Sequence, residues 1–279
     1  MQLRFDKILI VRLSALGDVI NTLPVLYTLR QQLPKSFIAW VVEDKNATLL
    51  KNHPLLDKVF VFERAKLDAN YLGRPGDCFN QLTHFARSLR RGKFDIALDL
   101  QGNLKSGVIT YLSGAPVRVG FGKGAVKEFS HFFTNYPIDL PNPRINRVER
   151  YLTPLKGLGL DISHSFRPEQ LKSLIPISNE NKITIDKFLQ SQHLQGTRYI
   201  IFHPGTSGFG AYKRWPLTKY AELGNRILGA HPGYQILITW GPGEYEFATE
   251  IARQMTVLKL VISCATSNLF QLAALIKKA

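Results

Sequence analysis

The sequence contains only two cysteines, Cys78 and Cys264, which lie far apart and form no C-x-x-C pair. This scarcity excludes a disulfide-stabilised scaffold and a cysteine zinc site, and it is typical of a reducing compartment. The seven histidines form no H-x-x-x-H or H-E-x-x-H pair, so we predict neither a metal centre nor a cofactor. The chain also lacks G-x-G-x-x-G, Walker and G-x-S-x-G motifs, which argues against a dinucleotide enzyme, a P-loop NTPase and an α/β-hydrolase.

Long hydrophobic runs are missing too. No segment approaches the ~20 apolar residues that a membrane-spanning helix needs. The N-terminal MQLRFDKILIVRL contains both acidic and basic residues and has no A-x-A-like cleavage site, unlike a signal peptide. We therefore expect a cytoplasmic protein.

Acidic residues are few relative to basic ones. The chain holds 36 Lys and Arg against 21 Asp and Glu, a net charge of +15. Such an excess favours an anionic partner, which is a nucleic acid, an anionic membrane surface or a phosphorylated substrate. The charge is spread, with +9 (23 − 14) in residues 1–165 and +6 (13 − 7) in residues 166–279. A basic surface that only aids solubility is the alternative.

Short apolar runs alternate with amphipathic segments along most of the chain, a pattern typical of βαβ units and a parallel sheet. Two such series predict an α/β protein with two Rossmann-like, doubly wound domains. We place them at 1–165 and 181–279, with a linker at 166–180 that is punctuated by prolines. The two domains are expected to face a cleft, with ligand loops at the carboxyl ends of the strands. The second series ends on a helix without a following strand, so we expect its sheet to be incomplete.

The first candidate site is Ser14-Ala15-Leu16-Gly17-Asp18, between the first strand and the first helix. Gly17 allows a close backbone approach. Asp18 has two interpretations, a helix N-cap or a general base at the edge of the sheet. Composition alone favours the cap.

Two loops of the second series are candidates for binding a nucleotide. The Gly-rich segment HPGTSGFG (203–210) follows a predicted strand and is followed by the basic segment KRWP (213–216). Glycine-rich backbone next to basic side chains is suited to binding phosphate. Glu244, in WGPGE at 240–244, is either a ligand of ribose hydroxyls or a helix cap.

These segments together resemble the ADP-heptose:lipopolysaccharide heptosyltransferases, glycosyltransferase family 9, and most closely their heptosyltransferase I branch. The resemblance is carried by KILIVRLSALGD (7–18), WVVE (40–43), FDIALDLQGNLKS (94–106), VRVGF (117–121), NRVER (146–150), HPGT (203–206), KRWP (213–216) and WGPGE (240–244). Each motif is weak alone, but their order over nearly the whole chain is specific.

The resemblance implies a GT-B fold and inverting transfer of heptose from ADP-L-glycero-β-D-manno-heptose to Kdo of the lipid A inner core. It implies that Asp18 is the catalytic base, and it places the enzyme peripherally at the inner face of the cytoplasmic membrane. The implied donor ligands are Thr206, Ser207, Lys213 and Glu244, and the implied acceptor ligands are Ser14, Arg64 and Lys127.

The sequence departs from the family pattern at one point. The family continues with a strand and a D-T-G-x-x-H motif, whereas this sequence stops at Lys277-Lys278-Ala279. We therefore expect a truncated second domain. This leaves open a catalytically impaired fragment that keeps an anionic glycolipid site, and a relative that uses another sugar donor. Nucleic-acid binding is a weak third alternative, because no recognition motif is present.

Overall fold

The computed structural model describes residues 4–66, 75–142, 144–163, 174–206, 208–256, 260–262 and 268–279. The chain divides into two compact units, Met1–Leu174 (unit 1) and Ile175–Ala279 (unit 2). Within the described residues, every helix is too short or too polar to cross a bilayer.

Unit 1 is built on a six-stranded parallel sheet in the order β3-β2-β1-β4-β5-β6. Its strands are β1 (Lys7–Val11), β2 (Phe37–Glu43), β3 (Lys58–Phe62), β4 (Ile96–Asp99), β5 (Val117–Phe121) and β6 (Tyr136–Ile138). Its helices are α1 (Leu16–Gln32), α2 (Asp44–Leu50), α3 (Pro75–Arg90), α4 (Leu104–Leu112) and α5 (Arg147–Gly157). Short 3-10 helices cover Lys123–Ala125 and Ser130–Phe133.

The central strands of unit 1 are buried on both faces because their sequences are apolar at nearly every position. Leu9 of β1 lies between Ala39 of β2 and Ala97 of β4, and all three are fully buried. The next residues toward the carboxyl ends include buried polar groups, Arg12 and Asp99. The parallel register therefore brings the polar ends of several strands to one edge.

Unit 2 contains a three-stranded parallel sheet in the order β7-β8-β9 among its described residues. Its strands are β7 (Arg198–Phe202), β8 (Tyr234–Ile238) and β9 (Leu260–Ile262), and its helices are α6 (Asn179–Ser191), α7 (Leu217–Ala230), α8 (Tyr245–Gln254) and α9 (Leu269–Ile276). A 3-10 helix spans Gly208–Lys213. The predicted α/β class with parallel sheets is confirmed, while the incompleteness of the second sheet stays a prediction.

Two elements of unit 1 were not predicted. Helix α2 has only seven residues, begins with the polar DKN and leaves little room for a helical period. Strand β6 has three residues and contains Pro137, which sits at the sheet edge where a missing N–H is tolerated. Most of the predicted linker, 166–180, lies outside the described residues, and α6 begins inside it at Asn179.

Candidate functional site

Asp18 lies in the first turn of α1, directly after β1. The N-cap of α1 is Ala15, which makes no side-chain cap bond, so the interpretation of Asp18 as the N-cap is wrong. The Asp18 carboxylate instead has two partners. A guanidinium nitrogen of Arg12 lies 2.6 Å from Oδ2, and the hydroxyl of Tyr151 donates to Oδ1 at 2.8 Å. The Asp18 side chain keeps 28% of its surface exposed to solvent.

Arg12 is held rigidly at the end of β1. It is 5% exposed, and its Nη1 donates to the carbonyl of Leu100 at 2.8 Å, just beyond β4. Its own carbonyl accepts a bond from the indole N–H of Trp40 at 3.0 Å. The guanidinium also lies over the ring of Tyr151, 4.9 Å from the centroid. Leu100 and Tyr151 thus hold the guanidinium that faces Asp18, and Trp40 holds the backbone of Arg12.

Tyr151 reaches Asp18 from α5, which packs against α1. Its ring is 1% exposed. Burial raises the pKa of the Tyr151 hydroxyl, so this group remains protonated and acts as a hydrogen-bond donor. The neighbouring Arg150 lies over the ring of Phe121 at 4.6 Å, and burial lowers its pKa. The NRVER segment therefore supplies both a partner for the carboxylate and a partly buried cation.

Ser14 lies on the turn between Arg12 and Asp18. Its backbone N–H donates to Oε1 of Gln101 at 3.2 Å, and the N–H of Leu13 donates to the same oxygen at 2.9 Å. One amide side chain from the end of β4 therefore fixes the backbone of this turn.

A second polar cluster surrounds Glu43 at the end of β2. The Glu43 side chain is fully buried, and three cations approach its carboxylate. Their nitrogens lie at 2.9 Å (Lys105), 3.4 Å (Lys45) and 3.6 Å (Arg64). The three cations are one-third to two-thirds exposed, so basic groups at this cluster reach the solvent.

Lys127 borders a surface cavity of about 540 Å³ that contains more basic than acidic groups. The cavity is lined by Gly124, Ala125, Val126, Lys127, Asp139, Leu140, Arg147 and Arg150. The backbone N–H of Lys127 donates to the carbonyl of Gly102 at 2.8 Å. This bond ties the residue to the loop after β4.

In unit 2, Thr206 lies in the loop after β7 and accepts two hydrogen bonds from Arg214. The Arg214 Nε donates to Oγ1 of Thr206 at 2.9 Å, and Nη2 donates to its carbonyl at 2.8 Å. The guanidinium also lies over Phe247 of α8 at 4.6 Å. Lys213, next in the chain, is exposed, with Nζ 5.3 Å from the ring centroid of Tyr212. Ser207 lies outside the described residues.

Glu244 occupies the N-cap position of α8 but makes no cap bond into that helix. Its Oε2 accepts from the N–H of Gly241 at 3.0 Å. A Cβ added to Gly205 would lie 1.7 Å from the same oxygen. Glycine at 205 therefore lets the loop after β7 approach the carboxylate that follows β8.

The structure brings together some of the predicted residues and adds others. In unit 1, Arg64 contacts Glu43, and Ser14 lies on the same turn as Asp18. In unit 2, the carboxylate of Glu244 lies against Gly205, the residue before Thr206. Sequence reasoning did not identify Arg12, Tyr151, Glu43, Lys105 or Arg214 as partners. A basic residue directly after an apolar strand was the available signal for Arg12.

The chain is similar throughout to known glycosyltransferases. The model of "Glycosyltransferase family 9 (heptosyltransferase)" matches residues 82–279. Lipopolysaccharide heptosyltransferase 1 of Campylobacter coli is 32% identical over 254 residues, 88% of this chain and 68% of that protein. The Pseudomonas aeruginosa protein of the same name is 26% identical over 84% of this chain and 61% of its own length.

Solved structures give the same fold. A family 9 glycosyl transferase from Veillonella parvula has a TM-score of 0.77 at 24% identity, over 100% of this chain and 74% of that one. E. coli heptosyltransferase WaaC with ADP-2-deoxy-2-fluoro heptose has a TM-score of 0.74 at 23% identity, over 98% and 80%. The predicted resemblance and GT-B class are thereby confirmed, and the chain belongs to glycosyltransferase family 9.

Proposed function

We propose that this protein transfers a heptose from an ADP-activated heptose to a Kdo residue of the lipopolysaccharide inner core, with inversion at the anomeric carbon. Its similarity to lipopolysaccharide heptosyltransferases supports the heptose and the lipopolysaccharide. The observation that carries the chemistry is the Asp18 carboxylate, which is oriented by Arg12 and Tyr151 yet still accessible.

The reaction needs one base. The acceptor hydroxyl gives its proton to the carboxylate of Asp18, and its oxygen attacks the anomeric carbon. The bond from that carbon to the ADP oxygen breaks, and ADP leaves with the electron pair. A single displacement of this kind inverts the configuration, and one carboxylate is sufficient for it. Since Arg12 and Tyr151 each engage a different oxygen, the plane of the carboxylate is fixed before substrate arrives.

We place the donor in unit 2. Negative charge builds on the leaving diphosphate, so cations there stabilise the transition state. Lys213 is an exposed cation at the end of a glycine-containing turn, and Thr206 lies near it on the same loop. Glu244 offers a carboxylate to ribose hydroxyls, and Ser207 belongs to the same proposed set. Arg214 orients Thr206, because its Nε and Nη2 are both bonded to that residue.

We place the acceptor in unit 1. Kdo carries a carboxylate and lipid A carries phosphates, so a surface of excess cations suits both. Arg64 belongs to the Glu43 cluster, which contains three partly exposed cations, and Lys127 lines the basic cavity. Ser14 lies in the Asp18 turn, and we assign its hydroxyl to the acceptor sugar. We expect the enzyme to reach this lipid as a peripheral protein at the inner face of the cytoplasmic membrane.

The test is Asp18→Asn in the full chain, with Asp6→Asn as the matched control, because Asp6 also pairs with an arginine but is exposed. We expect heptose transfer from ADP-heptose to a Kdo acceptor to fall by about a thousandfold in the first variant, a typical loss for a general base. The control should keep full activity. Calorimetry should show unchanged ADP-heptose affinity in both. Transfer retained by Asp18→Asn would remove the base from the proposal, and absence of donor binding in the native chain would remove the function.

A further inference from the structure

Two exposed phenylalanines lie beyond β5, at the start and in the middle of one short turn. Phe129 is the N-cap of the Ser130–Phe133 3-10 helix and is 71% exposed, and Phe132 within it is 74% exposed. Their rings stack with centroids 6.2 Å apart and an interplanar angle of 21°. Exposing two adjacent large aromatic rings to water is unfavourable, and such a patch commonly marks an interaction surface.

The turn that carries these rings is firmly anchored to α4. Lys127 N–H donates to the carbonyl of Gly102, and the N–H of Leu104 donates to Oε2 of Glu128 at 3.2 Å. Ser130 is buried, and a Cβ on Gly107 of α4 would meet the ring of Phe133 at 3.0 Å. Close packing on one side of the turn therefore holds Phe129 and Phe132 outward on the other side.

The backbone of the turn supports the same conclusion. Glu128 and Phe129 have φ angles of 53° and 58°, in the left-handed region. Side chains with a Cβ occupy this region at a cost of roughly 1 kcal/mol or more, most of all bulky ones. The fold keeps this conformation although it displays the ring of Phe129 to solvent.

The surroundings of the pair are basic. Lys123 and Lys127 are exposed on the same segment, and residues 100–135 contain four basic side chains and one acidic side chain. The one acidic group, Glu128, is bonded to the backbone of α4, where exposed Leu104 adds further apolar surface. Aromatic rings flanked by lysines match the boundary between acyl chains and anionic headgroups.

We propose that Phe129 and Phe132 insert into the surface of an anionic membrane, with Lys123 and Lys127 against the headgroups. The proposal rests on the function proposed above, because that function places the acceptor in a membrane. It goes further in naming the contact surface. The charge of the segment favours an anionic bilayer over a second copy of this chain, which would bring like charges together.

The experiment measures binding of the full chain to vesicles of equal parts phosphatidylethanolamine and phosphatidylglycerol, without donor or acceptor. Pure phosphatidylcholine vesicles provide the uncharged comparison. The variants are Phe129→Ser with Phe132→Ser, Lys123→Gln, and Phe79→Ser as the matched control, since Phe79 is 68% exposed but lies on α3. Circular dichroism and thermal unfolding verify that each variant folds.

We expect the double phenylalanine variant to lose at least tenfold in partitioning, Lys123→Gln to lose about twofold to fivefold, and Phe79→Ser to match the native chain. Native partitioning by the double variant would overturn the proposal. Equal binding of the native chain to both vesicle types would also overturn it. So would a native chain that is dimeric and a double variant that is monomeric but still binds vesicles. Since no substrate is present, failure here leaves the proposed transfer reaction untouched. Loss of vesicle binding by the double variant, together with turnover of a de-acylated Kdo acceptor at the native rate, would support both proposals.

Discussion

The hydroxyl of Tyr151 donates a hydrogen bond to Oδ1 of Asp18 at 2.8 Å, although 133 residues separate the two in the chain. The contact exists because α5 packs across α1 and directs the buried phenol at the first turn of that helix. Arg12 holds the other carboxylate oxygen. The orientation of the proposed base is thus set by one residue from the end of β1 and one from α5.

Replacing Tyr151 by Phe removes this donor and keeps the ring. We expect kcat to fall roughly tenfold, equivalent to the loss of one hydrogen bond to a charged group, while donor affinity is unchanged. The free energy of unfolding should fall by about 1–2 kcal/mol. Steady-state kinetics and urea unfolding measure these values. The control is Tyr111→Phe, which alters an exposed tyrosine of α4. An unaltered kcat in Tyr151→Phe would mean that the hydroxyl does not orient the base.

The environment of His53 leads us to expect that the free energy of unfolding of unit 1 depends on pH. Its Nδ1 receives the N–H of Leu55 at 3.3 Å and its Nε2 lies 2.9 Å from the carbonyl of Leu174, an arrangement that suits the neutral ring. Burial lowers the pKa of His53, opposed by the Leu174 carbonyl. At pH values below the usual histidine pKa, the unfolded chain therefore binds a proton at His53 more readily than the folded chain does. The stability that His53 contributes is present above pH ~6.5 and is lost as the pH falls from there toward the pKa of His53 in the folded chain.

His53→Gln removes this titration and retains a donor and an acceptor. We expect the unfolding free energy of the native chain to decrease more steeply between about pH 7 and pH 5 than that of the variant. At higher pH the variant should be the less stable, by about 1 kcal/mol. The control is His84→Gln on the exposed side of α3. Parallel pH curves for native and His53→Gln proteins would contradict the assignment.

Gly205→Ala tests the close approach in unit 2. The new methyl would overlap Oε2 of Glu244, and since a carboxylate can swing away, we expect the fold to survive while the Gly241 bond to Glu244 is lost. Affinity for ADP-heptose should weaken by about tenfold or more, the effect of a displaced ligand. Gly229→Ala is the matched control, because nothing lies within 4 Å of its added Cβ. Calorimetry that gives native affinity for Gly205→Ala would exclude Glu244 as a donor ligand.

Arg64→Gln tests the acceptor surface. Loss of one cation from the Glu43 cluster should raise KM for the Kdo acceptor about tenfold, with KM for ADP-heptose unchanged. The native KM should also rise with salt more steeply than that of the variant. Lys66→Gln provides the comparison, since Lys66 is exposed and pairs with Glu63 at 2.7 Å. Equal changes in both KM values would point to a general disturbance of the fold.

Most of the fold could be predicted because its strands are short apolar runs that need no knowledge of their neighbours. Lys7–Val11 and Tyr234–Ile238 are clear in the sequence, and the intervening helices follow from their periodicity. Helix α2 and strand β6 form for reasons of packing instead. Their few residues have no distinctive pattern; β6 pairs with β5 at the sheet edge, and α2 packs on β2 and β3.

The candidate site could be predicted only as far as single loops. Asp18 was recognisable from its place after a strand, but its partners were not, since Arg12 read as the end of an apolar strand and Tyr151 as a helix residue. Glu43 was visible only as part of a motif, and its three cations come from three separate segments. Arg214 similarly became a ligand of Thr206 only through the turn between them.

Arg12, Asp18 and Tyr151 all belong to unit 1. The proposed proton acceptor is thus assembled entirely within unit 1, without help from the residues proposed to hold the nucleotide. Recombination could exchange the nucleotide-sugar half between relatives and leave the proton acceptor intact, so chimeras with a foreign unit 2 offer a direct route to new sugar donors.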